Sequence, residues 1–157
     1  MYPLTKPQML VYTMEKYAGG AISNICGSVL YEGEKPLPIL KQAARDMVRL
    51  NESLRTRISF DDGGVMQLFE ENDDVVVPVL CFDSKASFHE YAEKYAKISL
   101  SMQGVLCEIN VILIPEQYGL LVKMHHLIAD AWTLSIVGSQ YYALVTGKKQ
   151  EPSYYTD

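Results

Sequence analysis

Lysine and arginine are scarce, 14 against 19 aspartates and glutamates in 157 residues, giving a formal net charge of -5. No run of basic residues exceeds two. Nucleic-acid binding needs a basic face that neutralises phosphates, so nucleic acid is excluded as a partner. Cysteine is also rare. Cys26, Cys81 and Cys107 are odd in number, far apart and without CxxC spacing. They form neither a disulfide framework nor a metal-ligand set, and a reduced, cytoplasmic protein is expected. No apolar run approaches the ~18 residues of a membrane span, and the opening MYPLTKPQML lacks a basic stretch followed by a long apolar one. Neither membrane insertion nor secretion is expected. A Gly-rich phosphate loop, an internal repeat and a low-complexity segment are all missing.

What is present is an ordinary globular composition, 48% hydrophobic and 21% charged. A chain of this length buries enough surface for one cohesive core, so one domain or lobe is expected, compact over about residues 1–147. Residues 148–157 turn polar and lose periodicity, which reads as the start of a linker or of a next segment.

Hydrophobic spacing outlines the elements. Thr5 is placed to cap a helix with Pro7 in its first turn, and Leu10, Met14 and Tyr17 recur at helical spacing until Gly19 and Gly20 end it. Residues 22–31 favour a strand and residues 39–50 an amphipathic helix. Strands over residues 54–60 and 65–69 flank the turn Asp61-Asp62-Gly63-Gly64, and residues 75–82 form a third apolar run. A helix over residues 87–98 begins at a capping Ser87. Strands over residues 105–114 and 120–126 follow, and a last helix over residues 133–146 ends at Gly147. The order α-β-α-β-β-β-α-β-β-α predicts an α/β lobe, an α+β two-layer sandwich in which helices pack on a mixed sheet.

The segment that carries chemistry is Met124-His125-His126-Leu127-Ile128-Ala129-Asp130-Ala131-Trp132. Strand alternation places His126 with Leu120, Val122 and Met124, and His125 with Leu121 and Lys123. The two rings therefore point apart, so they do not chelate one metal ion and no metal is expected. One imidazole is left for a reacting group and the other for support. Asp130 fixes the loop either by pairing with an arginine or by capping the following helix.

Residues 124–132 resemble the HHxxxDG motif of condensation domains of nonribosomal peptide synthetases, in the chloramphenicol acetyltransferase-like superfamily. Asn51 to Ile58, NESLRTRI, resembles that family's RHExLRTxF motif, and Leu4 to Tyr12, LTKPQMLVY, resembles its N-terminal motif. The resemblance implies the first of the two lobes of such a domain, the C-terminal lobe being absent from the chain. It also implies acyl transfer: the amine of a carrier-bound aminoacyl thioester attacks a carrier-bound acyl or peptidyl thioester, forming an amide.

The partners implied are peptidyl or acyl carrier proteins and the missing lobe. Substrates ride on 4'-phosphopantetheine, and no cofactor is bound by the lobe itself. Residue by residue, His126 becomes the catalytic imidazole, which orients or deprotonates the amine; an ordinary imidazole titrates near pH 6.5. His125, Asp130, Arg55 and Ala131 become site-shaping, with Asp130 paired to Arg55 or otherwise to Arg57. Gln8 and Trp132 become candidates for the substrate tunnel. Ala131 stands at the motif's glycine, and Leu50 and Asn51 at its first arginine and its histidine. Two other readings stay open: a non-catalytic carrier-docking or scaffold lobe, and an acyltransferase with an alcohol acceptor.

Overall fold

A computed structural model describes residues 1–18, 23–61, 64–71 and 75–154. The expected helix stop at Gly19 and Gly20, the turn at Asp62 and Gly63, and the tail beyond residue 154 lie outside the described residues.

The elements follow the expected order with one addition at the start. A two-residue strand β1 (Tyr2–Pro3) precedes α1 (Lys6–Ala18), β2 (Asn24–Glu32) and α2 (Leu37–Leu50). A single 3-10 turn (Glu52–Arg55) then leads into β3 (Thr56–Asp61), β4 (Gly64–Phe69) and β5 (Val79–Cys81). The rest is α3 (Lys85–Ala96), β6 (Cys107–Ile114), β7 (Gln117–His125) and α4 (Ala131–Val145).

The strands divide into two sheets instead of one. A mixed sheet has the order β2-β7-β6-β5, in which only β5 and β6 run parallel, and a smaller antiparallel sheet has the order β1-β4-β3. All nine residues of β7 are buried, because it lies between β2 and β6 and is covered on both faces. Leu120, Val122 and Met124 pack with Leu40 and Met47 of α2 and with Val137 and Tyr141 of α4. Leu121 faces the other way, toward Phe88 of α3 and Ile112 and Ile114 of β6. Each such side chain contributes about 1.5–3 kcal/mol on burial, and β7 is the spine to which the site is attached. The α/β lobe with a mixed sheet stands, with α3 as a further helical layer on the second face.

Several boundaries move for local reasons. The α3 cap is Ser84, not Ser87; Ser87 is the third helical residue and completes the box, its N–H donating to Ser84 Oγ at 3.1 Å. Residues 75–78 stay irregular and only residues 79–81 pair, since Pro78 lacks an N–H for the ladder. Pro78 offers only its carbonyl, which accepts from Val111 N–H. The turn from β6 to β7 takes just Pro115 and Glu116, and Glu116 adopts a left-handed φ of 60°.

Two glycines let the chain close up. A Cβ on Gly119 would stand 1.9 Å from the Val29 carbonyl oxygen, and one on Gly138 would stand 2.9 Å from Val29 Cγ1. Gly138 thus brings α4 down onto β2, where Tyr31 donates its hydroxyl to the Gly138 carbonyl at 2.7 Å. The polar tail is held at Ser153, which bonds Leu50 O and Glu52 N at the end of α2.

Candidate active site

β7 ends at His125, and the chain then turns through residues 126–128 before α4 begins at Ala131. Alternation holds to the end of the strand and puts His125 on the Leu121 and Lys123 side, fully buried. His126 has left the ladder. Its ring is exposed instead of sharing the core face of Met124.

The backbone N–H groups of residues 125–128 and the carbonyls on either side of His126 are all bonded. His125 N–H donates to Leu106 O at 2.8 Å, His126 N–H to Ser23 O at 2.7 Å, and Ile128 N–H to His125 O at 3.0 Å. Leu127 N–H donates to His125 Nδ1 at 3.1 Å, while Leu127 O accepts from the Gln8 amide at 3.0 Å. The Leu127 side chain seals the turn in a small apolar cluster with Leu4, Ile58 and Leu106. An exposed imidazole on so constrained a turn is available to a reactant at a fixed position.

Gln8 is buried, so it does not line an open tunnel. Thr5 and Gln8 bond reciprocally at the start of α1, Thr5 N–H donating to Gln8 Oε1 at 2.8 Å. The same side chain forms a two-way amide pair with Gln67 of β4, at 2.9 and 3.1 Å, and reaches Leu127 O. Gln67 in turn donates to Pro3 O. The small sheet and α1 therefore hold the histidine turn from outside the large sheet.

Asp130 is the cap of α4 and not the partner of an arginine. Its carboxylate accepts from Thr133 N–H at 2.9 Å and from the Thr133 hydroxyl at 2.8 Å, and these bonds hold its pKa below the usual carboxylate value. Arg55 is occupied elsewhere, its Nη1 donating to Glu70 O at 2.6 Å, and Arg57 pairs with the Glu70 carboxylate at 2.8 Å. A cavity of about 490 Å³ takes in Arg55, Arg57 and Glu70 together with Tyr95 and Glu108, without either histidine of the motif. Ala131 is the first helical residue, and among the described non-glycine residues only Glu116 has a positive φ. Alanine at the motif's glycine position is therefore free of backbone strain. Trp132, in the first turn of α4, is 73% exposed and Ile136 one turn later is 52% exposed.

Beneath the site the sheet carries a buried polar group. Lys123 is 1% exposed, 3.0 Å from Glu108 Oε2 and 3.9 Å above the Tyr95 ring. Burial pushes Glu108 upward, but hydrogen bonds from Tyr95 and Lys123 outweigh it and hold the carboxyl below its ordinary value. Burial raises the Cys26 thiol and pushes Cys107 up to about 12, so neither serves as a thiolate nucleophile at neutral pH.

The family model for the condensation domain matches residues 1–155. The chain belongs to the condensation domain family. Tyrocidine synthase 3 of Brevibacillus parabrevis is 26% identical over 157 residues, covering 96% of this chain and 2% of the relative. Surfactin synthase subunit 2 of Bacillus subtilis is 26% identical over 160 residues, covering 100% of this chain and 4% of the relative. The condensation-domain chain thus spans only a few hundredths of the length of these relatives. Among solved structures, the first condensation domain of the calcium-dependent antibiotic synthetase superposes with a TM-score of 0.83 at 15% identity, over 98% of this chain and 40% of that one. The starter condensation domain of rhizomide synthetase superposes at 0.80 and 20% identity, with the same shares. These two likenesses establish the fold.

The condensation-domain motif residues are not all brought together. His125, His126 and Asp130 lie in or beside one turn, whereas Arg55 lines the cavity with Arg57 and Glu70. Sequence reasoning missed Gln67 and Glu15, the latter placing Oε2 2.6 Å from His125 Nε2. The signal available was spacing: Glu15 lies seven residues after Gln8, on the same side of α1.

Proposed function

We propose that this chain is the N-terminal lobe of a condensation domain that joins a carrier-bound acyl or peptidyl thioester to the amine of a carrier-bound aminoacyl thioester. The observation that carries the reading is His126, an exposed imidazole on a turn whose flanking backbone groups are bonded. It belongs to a chain of the condensation family. His126 accepts a proton from the attacking amine or orients it, the amine nitrogen bonds to the thioester carbonyl carbon, and the upstream carrier leaves as a free thiol. His125 and Asp130 shape the turn, and no cofactor is required from the lobe.

The exposed apolar residues support a second lobe as a partner. Leu10, Met14 and Tyr17 on α1, and Trp132 and Ile136 on α4, are all more than half exposed. Apolar exposure of this kind marks surfaces that another body covers, and the family relatives are far longer than this chain. Trp132 is then a wall residue of the substrate tunnel. Without the second lobe that wall is open to water, and the 157-residue chain alone is expected to give weak or no turnover.

The test is a single-turnover assay of the protein that carries this lobe, given an acyl-carrier thioester and an aminoacyl-carrier thioester, followed by mass spectrometry. An amide product supports the reading. An ester formed only with an alcohol acceptor, or carrier binding without any product, contradicts it.

A further inference from the structure

Helix α1 meets the histidine turn with two polar side chains. Gln8 and Glu15 lie two turns apart on one side of the helix, and while Gln8 holds Leu127 O, Glu15 approaches the ring of His125. The Glu15 side chain is 12% exposed and that of His125 fully buried, with Oε2 2.6 Å from Nε2. The approach lies off the direction of a straight ring hydrogen bond, so the carboxylate acts on the ring mainly as a charge set against whatever Nε2 carries. On the far side of the same ring, Nδ1 accepts from Leu127 N–H at 3.1 Å.

An imidazole nitrogen that accepts a hydrogen bond carries no proton. The neutral His125 ring must therefore bear its proton on Nε2, the nitrogen that faces the carboxylate. We infer that Glu15 is a positioning residue: it fixes His125 in the Nε2–H tautomer, and through the Nδ1 acceptor fixes the Leu127 peptide that follows His126. The inference rests on the reading of His126 given under Proposed function and adds the residue that controls its presentation.

The alternatives for the ring show what Glu15 excludes. The Nδ1–H tautomer sets two donors against each other at Leu127 and leaves a lone pair facing a carboxylate. A doubly protonated ring keeps the contact with Glu15 but loses the Leu127 bond. Among the described residues, the charged or titratable groups that bear on His125 are Glu15 from α1 and His126 next in the chain. Only the neutral Nε2–H ring keeps the Leu127 bond while presenting an N–H dipole to the carboxylate, and losing it frees the peptide on which His126 stands.

The experiment has two arms. In the first, long-range imidazole nitrogen spectra of the 157-residue chain are expected to show His125 as the Nε2–H tautomer in wild type and in Glu15→Gln, whose amide oxygen still sets partial negative charge against Nε2–H. Glu15→Ala is expected to give a mixture of tautomers. In the second, condensation by the protein carrying this lobe is expected to lose about 10- to 100-fold in kcat with little change in KM for Glu15→Ala, and Glu15→Gln is expected to recover most of it. An Nδ1–H ring in wild type, or full activity in Glu15→Ala, overturns the inference. If wild type itself forms no amide, the functional reading fails, while the tautomer spectra still decide the role of Glu15.

Discussion

Asp130 and Thr133 close the first turn of α4 on each other: the carboxylate accepts from the Thr133 N–H and hydroxyl, and the Thr133 hydroxyl oxygen accepts from Asp130 N–H at 3.1 Å. The motif's aspartate therefore acts as a helix cap that fixes where α4 starts after the histidine turn. Asn also caps well, whereas Ala cannot. Asp130→Asn is thus expected to keep the melting temperature near wild type and Asp130→Ala to lower it. Equal losses for both in thermal denaturation would point to an ion pair instead. The cap bonds lower the carboxyl pKa, so its stabilisation is present above the ordinary value of 3.8 and fades as pH falls below it.

Gln8 serves three partners at once, Thr5, Gln67 and Leu127 O. Gln8→Leu leaves the Leu127 carbonyl and the Gln67 amide each short of a buried bond. A loss of about 1–3 kcal/mol is expected in urea unfolding. A neutral result would mean that water or Gln67 replaces the bonds, and the clamp on the turn would be unnecessary.

His125 is predicted to set an acid limit on stability. Burial lowers its pKa, outweighing the opposing pull of Glu15. A histidine that folds as the neutral form contributes stability in full above its unfolded value near 6.5, and loses it as pH falls through the lower folded value. Unfolding free energy of wild type should therefore decline below about pH 6.5 more steeply than that of His125→Asn, as read from urea titrations at several pH values. Parallel curves would mean that folding leaves the proton affinity of His125 unchanged, and a wild-type curve that rises below pH 6.5 would mean that the fold favours the protonated ring.

Gly119 and Gly138 should differ in severity. Alanine at Gly119 drives its Cβ into the Val29 carbonyl, a backbone group that cannot step aside, whereas at Gly138 it meets the Val29 side chain at 2.9 Å and the Tyr31 hydroxyl at 3.5 Å and gains helix propensity. Expected losses are about 3 kcal/mol or more for Gly119→Ala and about 1 kcal/mol for Gly138→Ala. Comparable unfolding midpoints would contradict the packing described for β2, β7 and α4.

The order of helices and strands was legible because long elements repeat their hydrophobic pattern many times. β1 is only two residues long and offers no period, and its pairing of Tyr2 with Gln67 is set by tertiary structure, so the second sheet was not legible. Helix α1 misleads for a related reason. Leu10, Met14 and Tyr17, whose spacing marks the helix, are exposed, while the polar Gln8 and Glu15 face the site. The local reading left Asp130 either to pair with an arginine or to cap the helix; the family resemblance chose Arg55 or Arg57, and the structure shows the cap. The histidine pair was legible by type; that one ring is buried and the other exposed depends on β7 ending at His125.

The central claim is that His126, held out on a fixed turn, carries the chemistry. The most direct measurement is single-turnover amide formation by the protein carrying this lobe, comparing wild type with His126→Ala after circular dichroism has shown the two to be equally folded. Because the His126 ring is exposed, its removal should leave the fold intact, and the account predicts loss of amide formation by about 100-fold or more. Amide formation by His126→Ala at the wild-type rate would contradict it.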